Sequence, residues 1–468
     1  MTDCSREQLE FQGLGCRRVM ADFDGGRVSS DAGGLLLLRE VDAHLQLGER
    51  LSRCFTDHRK AEAIEHSVRE LVLQRIFGLA LGYEDLNDHD TLRDDVAFSV
   101  AVGKSDVLGE RRGRERDRGH PLAASSTLNR LELTPAEVSA AHRYKKVVYD
   151  AAAMDALMVE LFLDAHEEPP GQIVLDLDAT DDPLHGHQEG RFFHGYYRHY
   201  CYLPLYIFCG SYPLCVRLRR SDIDGAAGSV DEVRRIVKQV RARWPRVRIV
   251  LRGDSGFARE NLMVWCEKNR VDFVLGLARN NRLSAELKGQ FKRLEKEDAP
   301  KRLFKDFRYE TLKTWRHKRR VIGKAEIVGD KHNPRFVVTS LSKAEVPAVQ
   351  LYEEVYCARG DMENRIKEQQ LGMFADRTST HTMRANQLRL YLSSFAYVLV
   401  HELRRRALVG TELDNAQCWT LRARLFKIAA VIRVSVRRIH FAFSSVHPAQ
   451  PLFRQALGRL HSLPPPVA

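Results

Sequence analysis

The feature that most restricts the fold is the alternation of apolar runs with amphipathic segments between residues 172 and 278. Three apolar runs come first, each bounded by Gly, Pro or polar residues, which is typical of strands: IVLDLD, YCYLPLYIFCG and PLCVRLRR. A helix, strand, helix, strand order follows in SVDEVRRIVKQVRARW, VRIVLRG, ARENLMVWCEKN and VDFVLGLA. Two or three antiparallel strands followed by this alternation predict a mixed sheet covered by helices.

This order of elements fits a ribonuclease H-like core, which we predict over residues 166–385. Between about residues 281 and 344, strand-like pieces replace the helical alternation: KRLFKDFRYETL, VIGKAEIVG and RFVVTSL. We interpret this stretch as a β-rich insertion in the core. The predicted fold class is multidomain α/β, with helical regions on both sides of the core.

Residues 1–165, ahead of the core, are predicted to be mostly helical from Asp31 onwards. Ser30 and Asp31 are expected to cap a helix that begins in AGGLLLLREVDAHL. A second helix that ends at Gly82 is indicated by the spacing of Val68, Leu71, Val72, Ile76 and Leu79. The segment 106–119 contains RRGRERDRG and predicts a basic loop, either a DNA contact or a solvated charge run. We predict a helical DNA-binding region here.

Residues 386–468, after the core, are predicted to form a helical, basic C-terminal region. The segment 421–440 contains six Lys and Arg residues and no Asp or Glu. Its apolar residues recur at helical spacing, which predicts a half-buried helix: Leu421, Leu425, Ile428, Ile432, Val436 and Ile439. A basic face on such a helix suits phosphate contact or a protein interface equally well.

Composition narrows the class of protein. Lys and Arg exceed Asp and Glu by 74 to 62, a net charge of +12, which predicts attraction to a polyanion but is also met in merely basic proteins. The nine cysteines are scattered without a CxxC, so we expect reduced thiols and neither a disulfide framework nor a zinc site. MTDCSREQLEF lacks the pattern of a secretory signal, and LYLSSFAYVLVHEL is too short to span a bilayer. We therefore expect a cytoplasmic protein without membrane contact.

Three acidic residues carry the chemistry. Asp178 and Asp254 each lie where an apolar strand meets a loop, and Glu363 lies in the helical run YEEVYCARGDMENRIKE. An open sheet presents catalytic groups at such strand ends. Carboxylates gathered from two strands and a helix can hold a pair of Mg²⁺ ions about 4 Å apart for in-line attack on a phosphodiester. Phosphodiester chemistry is the function that these residues favour.

DLDATD, RGDSGFARENL and the array of Tyr356, Arg359 and Glu363 resemble the DDE transposases of bacterial insertion sequences. Within that superfamily the chain is similar to insertion-sequence family 1380, of the Tyr-Arg-Glu-Lys type, with a ribonuclease H-like fold. Four further segments carry this closer likeness: HSVRELVLQRIFGLALGYEDLNDHDTLRDD, STLNRLE, LHGHQEG and ARGDMENRIKE. Together the segments span nearly the whole chain.

The resemblance implies a cut-and-paste enzyme that binds the terminal inverted repeats of its element. It would hydrolyse the phosphodiester at each end and transfer the 3′ hydroxyl to target DNA, without ATP. Asp178, Asp254 and Glu363 would be the metal ligands for two Mg²⁺ ions, with Mn²⁺ as a substitute. Since both ends must be joined in one complex, a dimer on double-stranded DNA is expected, in the bacterial cytoplasm and on the nucleoid when DNA is bound.

The Tyr-Arg-Glu-Lys signature is matched only in part. Tyr356, Arg359 and Glu363 have the required spacing, but Gln370 occupies the position of the Lys. The nearest candidate is Lys367, one helical turn after Glu363, where a phosphate contact and an ordinary intrahelical salt bridge are equally plausible. Tyr356 and Arg359 are expected to grip the DNA backbone beside the reacting phosphate.

Other acidic residues compete for the same roles. Asp176 shares a strand face with Asp178, but Asp178 lies nearer the strand end and begins Asp-Ala-Thr, the form seen in related enzymes. Asp181 and Asp182 also crowd this position. On the helix, Glu353, Glu354 and Glu368 are available, yet only Glu363 has the correctly spaced Tyr and Arg.

The sequence admits three rival interpretations of its function. Gly253-Asp254-Ser255-Gly256 imitates the nucleophile loop of trypsin-like proteases, but the sequence offers no partners for a Ser, His, Asp triad. A zinc site is suggested by His185, His187, His194 and His199, although no Cys accompanies them at metal spacing. The more serious rival is a catalytically inactive relative that binds DNA ends, against which the intact triad argues.

Overall fold

The computed structural model of the protein describes residues 9–14, 17–21, 29–296, 301–329 and 331–464. The N-terminal elements are five short strands and seven helices. They are β1 (Leu9–Leu14), β2 (Arg17–Ala21), β3 (Ser29–Ser30), α1 (Leu35–Leu45), α2 (Leu47–Ser52), β4 (Phe55–Asp57), α3 (Val68–Leu81), α4 (His89–Leu92), α5 (Val96–Val102), α6 (Ser125–Glu132), β5 (Val147–Tyr149) and α7 (Ala151–Asp164).

The central part of the chain contains the sheet and the helices that cover it. Its elements are β6 (Gln172–Ala179), β7 (Asp182–Pro183), β8 (Phe192–His194), β9 (His199–Tyr202), β10 (Leu205–Cys209), β11 (Tyr212–Arg217), α8 (Ser229–Arg243), β12 (Arg248–Gly253), α9 (Glu260–Lys268), β13 (Asp272–Leu277), α10 (Asn281–Glu286), α11 (Lys288–Leu294), β14 (Arg302–Tyr309), β15 (Arg319–Val328), β16 (Lys331–His332), β17 (Arg335–Thr339), α12 (Ala348–Gln350) and α13 (Gly360–Met373).

The C-terminal elements are α14 (Met383–Leu403), α15 (Cys418–Leu421), β18 (Ala430–Val434), β19 (Ile439–Phe443) and α16 (Gln450–His461). Helix α14 is buried along most of its length and packs against α1 and α3, so the N-terminal and C-terminal regions share one core. The hydroxyl of Tyr391 in α14 donates a 2.7 Å hydrogen bond to Asp155 of α7. Among the helices described, none combines the length and apolar character that a bilayer crossing requires.

The main sheet has the strand order β11-β10-β6-β12-β13-β17-β15-β14, with β16 paired to β15. Strand β10 is antiparallel to both β11 and β6, whereas β12 is parallel to both β6 and β13. The predicted alternation from residue 172 to 278 is thus present as one mixed sheet. A tight turn joins the antiparallel strands β10 and β11, and helix α9 joins the parallel strands β12 and β13, as these connections require.

The predicted β-rich insertion at about residues 281–344 differs from the structure in two respects. Its strands β14, β15 and β17 do form, but β17 pairs antiparallel with β13, so they continue the main sheet. Helices α10 and α11 also lie in this range. The sequence pattern identified the strands, but it does not reveal the partner with which an edge strand pairs.

The prediction of one helix over residues 421–440 is wrong. Helical structure ends near Phe426, and β18 pairs antiparallel with β19 and with β3. Along β18, Ala430 and Ile432 are buried while Val431 and Arg433 are exposed. A spacing of four residues fits the two-residue period of a strand as well as it fits a helix, and β-branched residues favour the strand.

The predicted N-caps also need correction. Helix α1 begins after Gly34 without a side-chain cap, and the hydroxyl of Ser30 instead donates to Asp95 at 2.7 Å. The end of α3 at Gly82 is confirmed, since Gly82 adopts a left-handed φ of 96°. A capping box at Ser67 starts this helix, a signal that the sequence analysis missed.

Candidate active site

Asp178 and Asp254 lie next to each other because of the register between two parallel strands. In the pairing of β6 with β12, Gly253 is opposite Leu177. The residue that follows each of them therefore lies at the same edge of the sheet. Asp178 is the last residue but one of β6, and Asp254 comes directly after β12. Two of the three predicted catalytic carboxylates are brought together in this way.

Asp254 is held in a defined orientation by the turn that it starts. Its carboxylate accepts a 2.8 Å hydrogen bond from the amide of Gly256, at the start of a short 3₁₀ turn, Ser255–Phe257. This contact fixes the side chain at the strand end, where an aspartate commonly satisfies free backbone amides. The same turn contains Ser255 of the protease-like motif, and no hydrogen bond joins its hydroxyl to a histidine in the described part of the chain.

Glu363 is presented by an irregular helical segment that runs from residue 348 to 373. A π-helical stretch, Leu351–Tyr356, and a 3₁₀ turn, Cys357–Arg359, precede the regular helix α13. Glu363 lies in the first turn of α13, and about half of its side chain is exposed. Departures of this kind from α-helical geometry are frequent at functional sites, because they re-aim side chains by a fraction of a turn.

Arg359 connects the helix with the strand. Its guanidinium Nη2 lies 2.5 Å from Oε1 of Glu363, and Nη1 lies 3.6 Å from Oδ1 of Asp178. Although burial opposes it, Glu363 and Asp178 raise the pKa of Arg359, so the group stays charged. Arg359 thus joins two members of the predicted triad, Asp178 and Glu363, and the charge of Asp254 adds to the rise in its pKa.

The carboxylates also influence each other. The pKa of Asp178 is raised to about 6, chiefly by burial, with Arg359 opposing the rise and Asp254 and Glu363 contributing to it. Like charges interact in this way only when they are close in a region of low dielectric. Negative charge is therefore concentrated at the carboxyl end of β6, as expected of a site for a cation.

Asp176, the rival of Asp178, has a different role. It is buried and paired with Arg252 of β12 through two hydrogen bonds, one of them 2.7 Å between Nη2 and Oδ2. The Nη1 of Arg252 also donates a 2.6 Å hydrogen bond to the carbonyl of Val355 in the π-helical stretch. Asp176 is consequently occupied by a structural ion pair that braces the helical segment against the sheet.

Three of the other acidic candidates are engaged away from the site. Glu368 is buried and ion-paired with Arg404 at 2.9 Å, and Glu353 is paired with Arg302 at 2.6 Å. Asp182 is buried and accepts a 3.0 Å hydrogen bond from Thr378. Glu354 is exposed and has no ion pair among the described residues. Of the helical glutamates considered, Glu363 alone shares a cation with Asp178.

Tyr356 lies against the turn that holds Asp254. A Cβ added to Gly276 of β13 would lie 2.6 Å from the hydroxyl of Tyr356 and 2.9 Å from the amide of Ser255. Only glycine at this position leaves room for both groups. Burial raises the pKa of Tyr356, with Asp254 adding to the rise and Arg359 opposing it. Tyr356 therefore borders Asp254 and Arg359.

Lys367 stands apart from this cluster. Its side chain is exposed, and in the described residues its ammonium group forms neither the predicted salt bridge to Glu363 nor another ion pair. The amide of Gln370, at the position of the signature Lys, donates a long hydrogen bond of 3.4 Å to the carbonyl of Asp181. The DNA-binding roles of Tyr356, Arg359 and Lys367 stay predictions, as do the catalytic and metal roles of the triad.

Asp178, Asp254 and Glu363 offer carboxylate oxygens to a hard divalent cation. Three carboxylates are the ligands that Mg²⁺ prefers. Within the residues that the structure describes, however, no group of three His, Cys, Asp or Glu side chains has metal-binding geometry. Arg359 lies between Asp178 and Glu363, so the exposed Glu363 has to turn from it to serve as a ligand. The residues fit the ion chemically.

A hairpin of aromatic and basic residues beside Asp181 was missed by the sequence analysis. Strands β8 and β9 expose a set of rings: Phe192, Phe193, Tyr196 and Tyr200, of which Tyr196 is 83% exposed. The hairpin is tied to the site by His199, whose Nε2 lies 2.8 Å from Asp181 Oδ2. The signal was present in GRFFHGYYRHY, whose two histidines, His194 and His199, were interpreted as part of a zinc site instead. Exposed rings beside basic groups are suited to stacking on nucleobases.

Comparison with known proteins gives the class of protein to which the chain belongs. The family described as "Transposase DDE domain group 1" matches residues 11–465. A search of curated proteins finds no significant match. One solved structure, a piggyBac transposase synaptic complex with hairpin DNA, is similar at 11% sequence identity with a TM-score of 0.40, covering 84% of this chain and 79% of that chain.

The match of the family over nearly the whole chain identifies a DDE-type transposase domain. The chain belongs to the family Transposase DDE domain group 1. The predicted membership of a DDE transposase superfamily is thereby confirmed.

Proposed function

We propose that the protein is a cut-and-paste DNA transposase that acts on the terminal inverted repeats of its own insertion sequence. It hydrolyses the phosphodiester at the element ends and transfers the 3′ hydroxyl to target DNA. The observation that carries this proposal is the register of β6 and β12, which brings Asp178 beside Asp254, together with Arg359, which joins Asp178 to Glu363.

A ribonuclease H-like core is part of the proposal. Its support is the order of the first five strands in the sheet, β11-β10-β6-β12-β13. Numbered along the chain these are strands three, two, one, four and five, with the first three antiparallel and the last two parallel to the first. In open sheets of this kind, catalytic groups lie beyond the carboxyl ends of the parallel strands, where Asp178 and Asp254 are found.

Divalent cations are the expected cofactors, as is typical of DDE transposase domains. Asp178, Asp254 and Glu363 would hold them, with Mg²⁺ preferred by an all-carboxylate site and Mn²⁺ as a substitute. When bound, a pair of such ions supplies an activated water and stabilises the leaving oxygen. The protein's contribution is to gather three carboxylates at one sheet edge and to fix Asp254 through the amide of Gly256.

The remaining residues of the site would bind and orient DNA. The guanidinium of Arg359 suits a bidentate contact with a backbone phosphate, and the hydroxyl of Tyr356 suits a single hydrogen bond. The exposed ammonium of Lys367 is free to reach a phosphate further along the strand. We propose double-stranded DNA as the partner, a dimer in the DNA complex, and residues 1–165 and 386–468 as flanking regions, the first of them DNA-binding.

The closer assignment to insertion-sequence family 1380, a bacterial origin and a cytoplasmic, nucleoid-associated location belong to the same proposal. They rest on the sequence segments quoted above. The rival is a catalytically inactive relative that binds DNA ends without cutting them. It predicts the same affinity for DNA but no chemistry, so cleavage separates the two.

The test is cleavage of a labelled duplex that carries the element's terminal repeat, with Mg²⁺, by the natural protein and by Asp254→Ala and Glu363→Ala. Glu354→Ala is the matched control, since Glu354 is an exposed glutamate in the same helical segment. We expect metal-dependent nicking at the repeat boundary by the natural protein and by the control. The two other variants should still bind DNA but should not nick it. Binding without cleavage by the natural protein would favour the end-binding rival.

A further inference from the structure

A basic cleft lies in the N-terminal region, outside the candidate active site. It has a volume of about 640 Å³, and its walls come from the loop 106–119, helix α6, the start of α3 and the segment that leads into β5. Nine Lys and Arg side chains line it, against three carboxylates. Such an excess of positive charge in a concave surface concentrates anions.

Most of the cations in this cleft are not neutralised by the protein. Arg114, Arg130, Arg143 and Lys145 line it, are exposed, and form no salt bridge with any described carboxylate. The paired exceptions include Arg112, which contacts Glu65 at 2.5 Å. Uncompensated charges that face one another repel, so their retention in one cleft points to an anionic ligand.

Two buried nitrogen atoms strengthen this interpretation. The Nε atoms of Arg93 and Arg112 are both inaccessible to solvent and have no hydrogen-bond partner in the described structure. Buried donors are usually paired, because an unpaired one costs free energy. Both arginines line the cleft, so a turn of either guanidinium towards a bound anion would supply the missing partner.

The cleft also contains an aromatic ring held between two guanidinium groups. Tyr144 is 51% exposed, and the Cζ atoms of Arg130 and Arg143 lie 4.8 and 5.1 Å from its ring centroid. Stacking on the ring keeps both guanidinium groups in place while their N–H edges stay available. The arginines are therefore oriented in advance for contacts with phosphate oxygens.

We propose that this cleft binds the phosphate backbone of duplex DNA, independently of base sequence. The inference rests on the proposed transposase function and assigns the DNA contact of the N-terminal region to named residues. Phosphate is favoured because the charge excess, the unpaired donors and the planar arginine forks match its oxygens. An isolated phosphate-bearing small molecule would use the same chemistry, and the test distinguishes it from DNA.

The test compares full-length R114A/R130A/R143A with the matched control R246A/R293A/R454A, both in a D254A background with EDTA. The control removes three arginines that are likewise exposed and free of described ion pairs but lie elsewhere. Fluorescence anisotropy with an arbitrary 30-base-pair duplex gives Kd as a function of salt. Each backbone contact adds about 0.9 to the slope of log Kd against log salt, so the cleft variant should lose about 2 to 3 slope units and about tenfold or more in affinity.

An equal loss in both triple variants would show that net charge, not the cleft, attracts DNA, and would overturn the proposal. Unchanged affinity of the cleft variant would overturn it as well. Inorganic phosphate is titrated separately, and saturable binding of phosphate that leaves the DNA affinity unchanged would assign the cleft to a small ligand instead. Because the assay needs no metal and no cleavage, a cleft result stands even if the natural protein fails to cut DNA.

Discussion

Gly276 of β13 offers a sensitive test of the site, because it has no room for a side chain. In Gly276→Ala, the new Cβ would lie 2.6 Å from the Tyr356 hydroxyl, 2.9 Å from the Ser255 amide and 3.1 Å from the carbonyl carbon of Asp254. To restore ordinary contacts of about 3.4 Å, Tyr356 must move by about 0.8 Å and the turn by about 0.5 Å. Overpacking of this kind costs about 1–3 kcal/mol of stability.

The effect on activity should be as large in free energy as the effect on stability, since each tenfold loss of rate corresponds to about 1.4 kcal/mol. A displacement of this size at a catalytic carboxylate lowers the rate of cleavage by about tenfold to a hundredfold. Single-turnover cleavage of the terminal-repeat duplex and thermal unfolding would be measured side by side. The control is Gly360→Ala at the start of α13, where a Cβ meets nothing within 4 Å and the folded protein should be unaffected or slightly more stable.

Removing the hydroxyl of Tyr356 distinguishes its contact with the new Cβ from the contacts that the backbone turn makes with the same atom. In G276A/Y356F the 2.6 Å contact is relieved but the backbone contacts with the turn remain, so Gly276→Ala should lower the rate less in the Y356F background than in the natural protein. An equal loss in both backgrounds would locate the damage in the turn of Asp254. If Gly276→Ala cleaved DNA and unfolded like Gly360→Ala, the proposed arrangement of Tyr356 and Asp254 would be refuted.

Three further predictions concern stability and DNA contact. Arg252→Ala leaves the buried Asp176 without a partner and should lower the free energy of unfolding by about 3–5 kcal/mol in urea denaturation, whereas Asp176→Asn and Arg252→Ala together should cost less than the sum of the two single changes. Burial and the neighbouring Lys104 lower the pKa of His66 to about 2, so its stabilising contribution is present above pH 6.5 and is lost as the pH falls. The free energy of unfolding should fall by about 1.4 kcal/mol by pH 5.5, and His66→Gln should flatten this dependence of stability on pH. Lys367→Ala should weaken DNA binding without altering thermal stability, since its side chain has no described ion pair, and a fall in melting temperature would contradict this.

Much of the core was predictable from local pattern. Strands β6 and β12 were evident as apolar runs that end in Asp178 and Asp254. The crossover α8 joins β11 to β12 and predicts that these two strands are parallel, but it does not predict that β12 lies beside β6. The choice between Asp176 and Asp178 was not predictable from alternation alone, since both lie on one strand face. It depends on Arg252, whose contact with Asp176 exists only in the register of the folded sheet.

The parts that were mispredicted share one cause. Spacings of four residues between residues 428 and 436 fit a helix and a strand equally, and the partner strand β3, about 400 residues away, decided the outcome. The β-rich insertion was likewise identified as strands, but its continuity with β13 is a long-range pairing. The π-helical stretch before Arg359 carries no Gly or Pro that would have signalled it.

The ion pair of Asp176 and Arg252 connects the architecture of the site with its chemistry. Arg252 binds Asp176 on one strand and the carbonyl of Val355 on the helical segment, so it fixes the distance between the sheet and that segment. Val355 lies within the π-helical stretch, four residues before Arg359 and eight before Glu363. The carboxylate that is withdrawn from the site therefore serves to position the helix that supplies the third member of the triad. Two aspartates on one strand face thus have different surroundings, Asp176 in a buried ion pair that braces the helical segment and Asp178 beside the other carboxylates of the candidate site.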